Sequence, residues 1–352
     1  MYAFVKEIVK PLVMPFLSIR SRIVMGMWWR YVMLYCDQQS LDILEARAKY
    51  VPWLKLFEFS NRIMEIQRAD YWRLAGGLKD VKNIVVYGKG NGYKYTCSLI
   101  QRSNYEGKYR FIGDNEDLIS GISADESLLV ACGRNRYSKT VKQIKNKYPS
   151  VNVLEDYDIC LGTIGNQYFD VFTPKQNEVI IDAGAYDGTT EEKFFEWGKD
   201  CIDRIYAFEL DPRNAEKCMS TFRNNGYDNV VFINKGVANE NKTIHLATGN
   251  QSSASSKRGK GGQEAYICRI DDEISDRVTF IKMDIEGEEL NALKGAERTI
   301  REYKPRLAIC IYHKPSDLYK IPGYLHKIVP EYKFVVRHYT SIEWETVLYA
   351  WV

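Results

Sequence analysis

From Val179 onward the chain alternates short apolar runs with longer segments of mixed polarity. The apolar runs fall at 179–182, 204–209, 229–234, 243–247, 278–284, 306–311, 332–338 and 346–351. Runs of this length bounded by turn residues predict buried strands, and the spacers are long enough for helices. Strands that alternate with helices build a parallel, doubly wound α/β sheet. The last two runs are joined by a short turn and predict an antiparallel edge hairpin.

A smaller set precedes it. Asn83–Tyr87, Tyr109–Asp114 and Ser127–Ala131 predict three strands of a short Rossmann-like unit. Gly88-Lys89-Gly90-Asn91-Gly92 forms a glycine turn after the first, and 94–102 a helix. The spacing is G-x-G-x-G, with Tyr93 where a dinucleotide fingerprint has its third glycine, and no acid clearly ends the second strand at the proper register. A scaffold unit is expected, with a retained small-ligand site as the alternative. Over 37–78, Leu41, Leu44, Ala48, Leu54, Phe57, Ile63, Ile66, Tyr71 and Leu74 recur at helical spacing until Gly76-Gly77. Three regions follow: helical over 1–80, Rossmann-like over 81–155, and the larger α/β domain over 156–352, with 150–177 as a link.

Residues 1–35 are apolar and aromatic, yet Lys6, Lys10, Arg20, Arg22 and Arg30 interrupt them. A bilayer span needs about 20 apolar residues in a row, which is not met. The segment is read as a helix packed on the protein's own body or on a partner subunit; an interfacial membrane helix is the alternative. The rest of the composition is ordinary for a globular protein. With 352 residues, 45% hydrophobic, 27% charged and a net charge of +3, nothing demands a nucleic-acid partner. Eight cysteines show no C-x-x-C pair, which points to free thiols in a reducing cytoplasm.

The most informative stretch runs from Glu178 to Gly188, followed by Tyr206-Ala-Phe-Glu-Leu-Asp-Pro212. An apolar run ends at Asp182, turns through Gly184 and Gly188, and a second run ends at the acidic Glu209. That is a βαβ nucleotide site, with glycines for close approach and an acid for ribose hydroxyls. Asp182 stands where a pyrophosphate would sit, and so suits a cationic ligand. S-adenosylmethionine has a ribose, an adenine, a sulfonium and no phosphate. Asp182, Gly184, Tyr186, Asp187, Gly188 and Glu209 are the candidate cofactor residues. Asp187 fits helix capping equally well, and Asp211-Pro212 reads as an N-cap followed by Pro at the first helical position.

Read together with Phe280-Ile-Lys-Met-Asp-Ile-Glu-Gly-Glu-Glu289, Leu293-Lys-Gly-Ala296, Lys304-Pro-Arg-Leu-Ala308, Ile311-Tyr-His-Lys-Pro-Ser-Asp317 and Arg337-His-Tyr339, these motifs resemble the FkbM-type S-adenosylmethionine-dependent methyltransferases over roughly 175–352. The resemblance implies a class I methyltransferase fold and an O-methyltransferase acting on a hydroxyl of a sugar or glycan-related small molecule. A homo-oligomer is compatible with it.

Ligands of open α/β sheets lie at the carboxyl ends of the strands, so catalytic candidates are sought there. Asp284 and Glu286 follow one strand beside Lys282, and could take a proton or hold a divalent metal. Glu288 and Glu289 read as helix-start acids. His313 follows the next strand, and its usual pKa suits a general base. Arg337 on the hairpin would meet a polar substrate group, or else make a surface ion pair. The run 251–262 has the composition of a mobile loop, with Lys257, Arg258 and Lys260 as possible anion contacts. Two rival functions are a nicotinamide-dependent oxidoreductase, opposed by Asp182 and the missing third glycine, and a catalytically silent binding or assembly protein.

Overall fold

In the computed structural model of the chain the described residues are 35–51, 59, 62–63, 66, 81–102, 107–131, 134–154, 166–246, 263–340 and 343–352. The expectations for 1–34, for most of 52–80 and for the loop 251–262 lie outside them. The chain divides into two compact units. One gathers Gln167–Arg337 and Thr346–Val352 with the described residues up to Leu41; the other holds Asp42–Asn166 and His338–Glu345. Among the described residues no helix is long and apolar enough to cross a membrane. Helix α1 (Gln38–Tyr50) forms where the periodicity placed it. Asp37 starts it, its Oδ1 accepting from Ser40 N at 2.9 Å.

The smaller unit is a four-stranded sheet of β1 (Asn83–Gly88), β2 (Lys108–Gly113), β3 (Ser127–Ala131) and β4 (Asn152–Leu154), in the order β2-β1-β3-β4. Every pairing is parallel. Helices α2 (Gly90–Arg102) and α3 (Arg134–Lys147) connect the strands. Two sequence expectations need correction here. The link begins with a strand, because β4 pairs along β3 from Ser127↔Asn152 to Leu129↔Leu154. The helix opens at Gly90 rather than beyond the glycines, so the turn is only Gly88-Lys89. Asp114, directly after β2, is engaged by the turn itself, accepting from Lys89 Nζ at 3.0 Å.

The larger unit follows the predicted alternation. In chain order it runs β5 (Glu178–Ala183), α4 (Thr189–Gly198), β6 (Ile202–Phe208), α5 (Pro212–Asn225), β7 (Val230–Ile233), β8 (Gly236–Val237), β9 (Lys242–His245) and β10 (Glu264–Cys268). Then come α6 (Ile270–Glu273), β11 (Phe280–Met283), α7 (Glu289–Gly295), α8 (Glu297–Tyr303), β12 (Arg306–Cys310), α9 (Asp317–Ile328), β13 (Lys333–His338) and β14 (Thr346–Trp351). The main sheet has the order β13-β14-β12-β11-β5-β6-β7. Strands β12, β11, β5, β6 and β7 are parallel, and β14 runs antiparallel to β12. Counted within this seven-stranded sheet alone the order is 6-7-5-4-1-2-3, the doubly wound order expected of a class I methyltransferase. Short strands β8, β9 and β10 form a separate sheet ordered β8-β10-β9.

The two ends of the main sheet differ in chemistry. At the strand starts, Glu178 is fully buried and bonded by Arg306, whose guanidinium lies 5.5 to 5.7 Å from the rings of Phe172, Trp197 and Phe280. A paired cation stacked on aromatic faces fixes that end. The middle is apolar: all six residues of β5 and all five of β12 are buried. The carboxyl ends of β5 and β11 carry the buried pair Asp182 and Lys282, and Glu209 and Asp284 follow β6 and β11.

Candidate active site

Three strand ends, those of β5, β6 and β11, meet at one crevice. Gly184 follows β5 with φ +92°, and a Cβ there would stand 2.1 Å from the Asp284 carbonyl oxygen. Only glycine lets these loops approach so closely. Lys282 reinforces the contact from beneath. Its Nζ donates to Asp182 Oδ1 at 2.7 Å and to the Gly184 carbonyl at 2.8 Å, and the lysine is 2% exposed. Asp182 is therefore fully buried beneath the crevice. Glu191, on α4 and also fully buried, completes the group. Burial and the neighbouring Asp182 push its pKa well above the carboxylate range despite Lys282.

Glu209 follows β6. Its Oε2 accepts from Tyr186 N at 2.9 Å and its Oε1 from Asp211 N at 2.8 Å. The Asn214 side chain is hydrogen-bonded to the same carboxylate. Glu209 lines a cavity of about 320 Å³ with Gly184, Leu210, Asn214, Lys235, Gly236, Val237, Ile244, Ile267, Asp284, Ile285, Glu286 and Glu288. The volume is in the range of small-molecule sites. Burial raises the Glu209 pKa, against the backbone N–H groups of Asp211 and Tyr186 that lower it.

Asp284 stands across this cavity, one residue beyond β11. Tyr312 donates to its Oδ1 and Tyr168 to its Oδ2, both at 3.1 Å. Behind it lies His313, with Nε2 3.5 Å from Asp284 and 3.8 Å from Glu286. Glu289 Oε1 sits 2.9 Å from Nδ1, off the axis of the ring N–H. Burial would lower the imidazole pKa, but Glu289, with Asp284 and Glu286, outweighs it and pushes the pKa up to about 9. Glu289 also accepts from the N–H groups of Ile285 (3.0 Å) and Gly287 (3.3 Å). It thereby holds the 285–287 turn, in which Glu286 adopts φ +59°.

Residues 182–336 match the family model described as the methyltransferase FkbM domain. They are a methyltransferase FkbM domain. The crystal structure of methyltransferase FkbM from Methylobacillus flagellatus KT is 19% identical; the match covers 97% of this chain and all of that one, with a TM-score of 0.49. An rRNA methylase from Streptococcus thermophilus is 15% identical, over 51% of this chain and 87% of that one, with a TM-score of 0.35. Aeropyrum pernix fibrillarin, solved with natively bound S-adenosyl-L-methionine, is 15% identical over 51% and 69%, with a TM-score of 0.34. No curated protein matches the chain.

Within the FkbM domain the structure brings Gly184, Glu209, Asp284 and Glu286 to one cavity and sets His313 behind them. The remaining candidates fall elsewhere. Asp182 is below the cavity, spent on Lys282. Tyr186 contributes its backbone N–H, while its ring faces Lys217 Nζ at 5.2 Å. Asp187 lies one residue before the Gly188 N-cap of α4 and turns toward the helix start, its Oδ1 accepting from Thr189 N at 3.2 Å and Oγ1 at 2.8 Å. Gly188 has φ +86°, and a Cβ there would stand 2.9 Å from the Phe222 ring. Asp211 is the expected N-cap of α5, followed by Pro212.

Two expectations are corrected. Arg337 does not meet this cluster; its guanidinium donates to Asp37 at 2.6 and 3.3 Å and to the Val336 carbonyl at 2.9 Å. His313 is not a neutral imidazole near pH 7, because three carboxylates surround it. Sequence reasoning missed Tyr168, Glu191, Asn214 and the central place of Glu289. The signal for Glu289 was the glutamate pair, of which only the second turns inward: Glu289 is fully buried and Glu288 partly exposed.

Proposed function

We propose that the FkbM domain transfers a methyl group from S-adenosylmethionine to a hydroxyl of a sugar or glycan-related small molecule. The observation that carries this is the sharing of one cavity by Glu209 and the Asp284/Glu286 pair. The donor fits the residues present. Glu209, fixed by two backbone N–H groups and the Asn214 side chain, keeps acceptor capacity for a ribose hydroxyl. Leu210, Val237 and Ile267 offer apolar walls for adenine, and the carboxylates of Asp284, Glu286 and Glu288 favour a sulfonium and an ammonium. When bound, the donor supplies a methyl group activated by positive sulfur.

The chain's own residues do the rest. Asp284 and Glu286 line the cavity and accept the proton that a hydroxyl loses as its oxygen is methylated. Tyr168 and Tyr312 hold the Asp284 carboxylate at both oxygens, and His313 positions it from behind. An acceptor oxygen aligned in this way has little freedom to lose at the transition state. The sugar class rests on the family resemblance. Free thiols throughout the described residues accord with a reducing cytoplasm. Asp284→Asn is expected to lower turnover by about 10²–10⁴ while S-adenosylhomocysteine binding by calorimetry stays within about threefold. Full turnover in that variant would remove Asp284 from the chemistry.

A further inference from the structure

The convergence of Asp284, Glu289 and His313 from three elements points to a second ligand beside the cavity: we infer that these residues bind one first-row divalent cation. Its role in turnover rests on the methyl-transfer function proposed above, whereas its binding does not. Asp284 follows β11, Glu289 opens α7 and His313 follows β12. One ligand atom from each lies within 4.8 Å of the others. Nitrogen and oxygen ligands roughly 2.0–2.2 Å from a cation stand no more than about 4.4 Å apart, so small side-chain adjustments close the shell.

Two further observations ask for a ligand. Glu289 is fully buried and Oε1 already serves two backbone N–H groups, yet among the described residues its Oε2 has no hydrogen-bond partner. The His313 side chain is 9% exposed and among the same residues its Nδ1 also lacks a directed hydrogen bond. Buried polar atoms left so are rare in proteins, and a bound ion is one of their ordinary partners. Charge points the same way. The Asp284, Glu286 and Glu289 carboxylates face one imidazole. The nearby ammonium of Lys314 is turned to the Gly287 carbonyl and to Glu288.

One imidazole and two carboxylates suit Mn²⁺ or Zn²⁺ better than Mg²⁺, which prefers oxygen ligands and water. Asp284 also lines the cavity, so a cation there is reachable from it and can orient an acceptor hydroxyl. Glu286, with its side chain 46% exposed, then remains to take the proton.

The test uses the full chain, freed of metal with chelator and titrated with Mn²⁺ under electron paramagnetic resonance, with Zn²⁺ in parallel. One Mn²⁺ per chain at micromolar affinity is expected, with a raised thermal midpoint. Asp284→Asn and His313→Gln should each weaken it by about 10–100-fold. Circular dichroism establishes that both variants are folded, and Asp284→Asn, being partly exposed, serves if His313→Gln is not. No binding of either ion by folded protein up to about 1 mM overturns the inference and leaves the imidazolium as the cluster's only cation. Binding undiminished in the variants also overturns it. S-adenosylhomocysteine is titrated into the same samples. Binding of it without a cation refutes the cation site alone, and a cation without it refutes the donor site alone.

Discussion

Replacing Lys282 by methionine tests the foundation of the crevice. Methionine keeps an unbranched stem of similar volume and removes the ammonium, which leaves Asp182 fully buried with Glu191 as its remaining side-chain partner. Removing one member of a buried ion pair costs about 3–5 kcal/mol, because the other charge stays desolvated. At about 2–4 °C per kcal/mol for a unit of this size, the midpoint should fall by about 6–20 °C. Differential scanning calorimetry and urea unfolding would measure it. The double variant Asp182→Leu/Lys282→Met removes both charges and should recover most of the loss. The sign with pH is also fixed. Burial raises the folded-state pKa of Asp182, and without Lys282 it rises further. Protonated Asp182 is cheap to bury, so the deficit of Lys282→Met should shrink as pH falls from neutral and grow as pH rises. A single variant within about 1 kcal/mol of wild type, or a double variant no better than the single, would refute the account.

Glu209→Ala removes the acceptor shared by two loops and should weaken S-adenosylhomocysteine binding by about 100-fold, read by calorimetry. Arg337→Ala should leave turnover within about threefold and cost no more than about 1 kcal/mol, since its pair with Asp37 is partly exposed. In the smaller unit the Arg110 guanidinium holds Glu126 down at about 2. A depressed carboxylate stabilises above its unfolded pKa, so this contribution should be lost as pH falls from about 4.5 to about 2. Carboxyl NMR titration of wild type and Arg110→Ala measures it; an unshifted Glu126 in wild type would rule it out.

What the sequence made legible follows from physics. β5, β6, β11 and β12 read clearly because parallel strands covered on both faces are continuous apolar runs. β4 and β8, at three and two residues, are too short to carry a period. β10 alternates exposed and buried positions over only five residues, directly after the glycine-serine run. The site was legible where it follows strand ends, as at Gly184, Glu209, Asp284 and His313. It was not legible where function depends on what lies opposite. Asp182 and Lys282 are 100 residues apart yet form one pair. Arg337 was placed by its hairpin, but its partner Asp37 lies 300 residues earlier. The basicity of His313 is set by Glu289, whose inward turn no local pattern announces.

The close approach of Gly184 to Asp284 has a mechanical meaning. Asp284 N donates to the Ala183 carbonyl at 3.0 Å, Lys282 clasps the Gly184 carbonyl, and the glycine backbone rests against the Asp284 oxygen. Tied at three points, the two loops form one continuous wall of the cavity. Val237, Ile244 and Ile267, from the small sheet, line the rest of it and are themselves buried. The relation between Gly184 and Asp284 is thereby set by the backbone itself, like two courses of one masonry wall, and does not depend on which side chains later fill the space between.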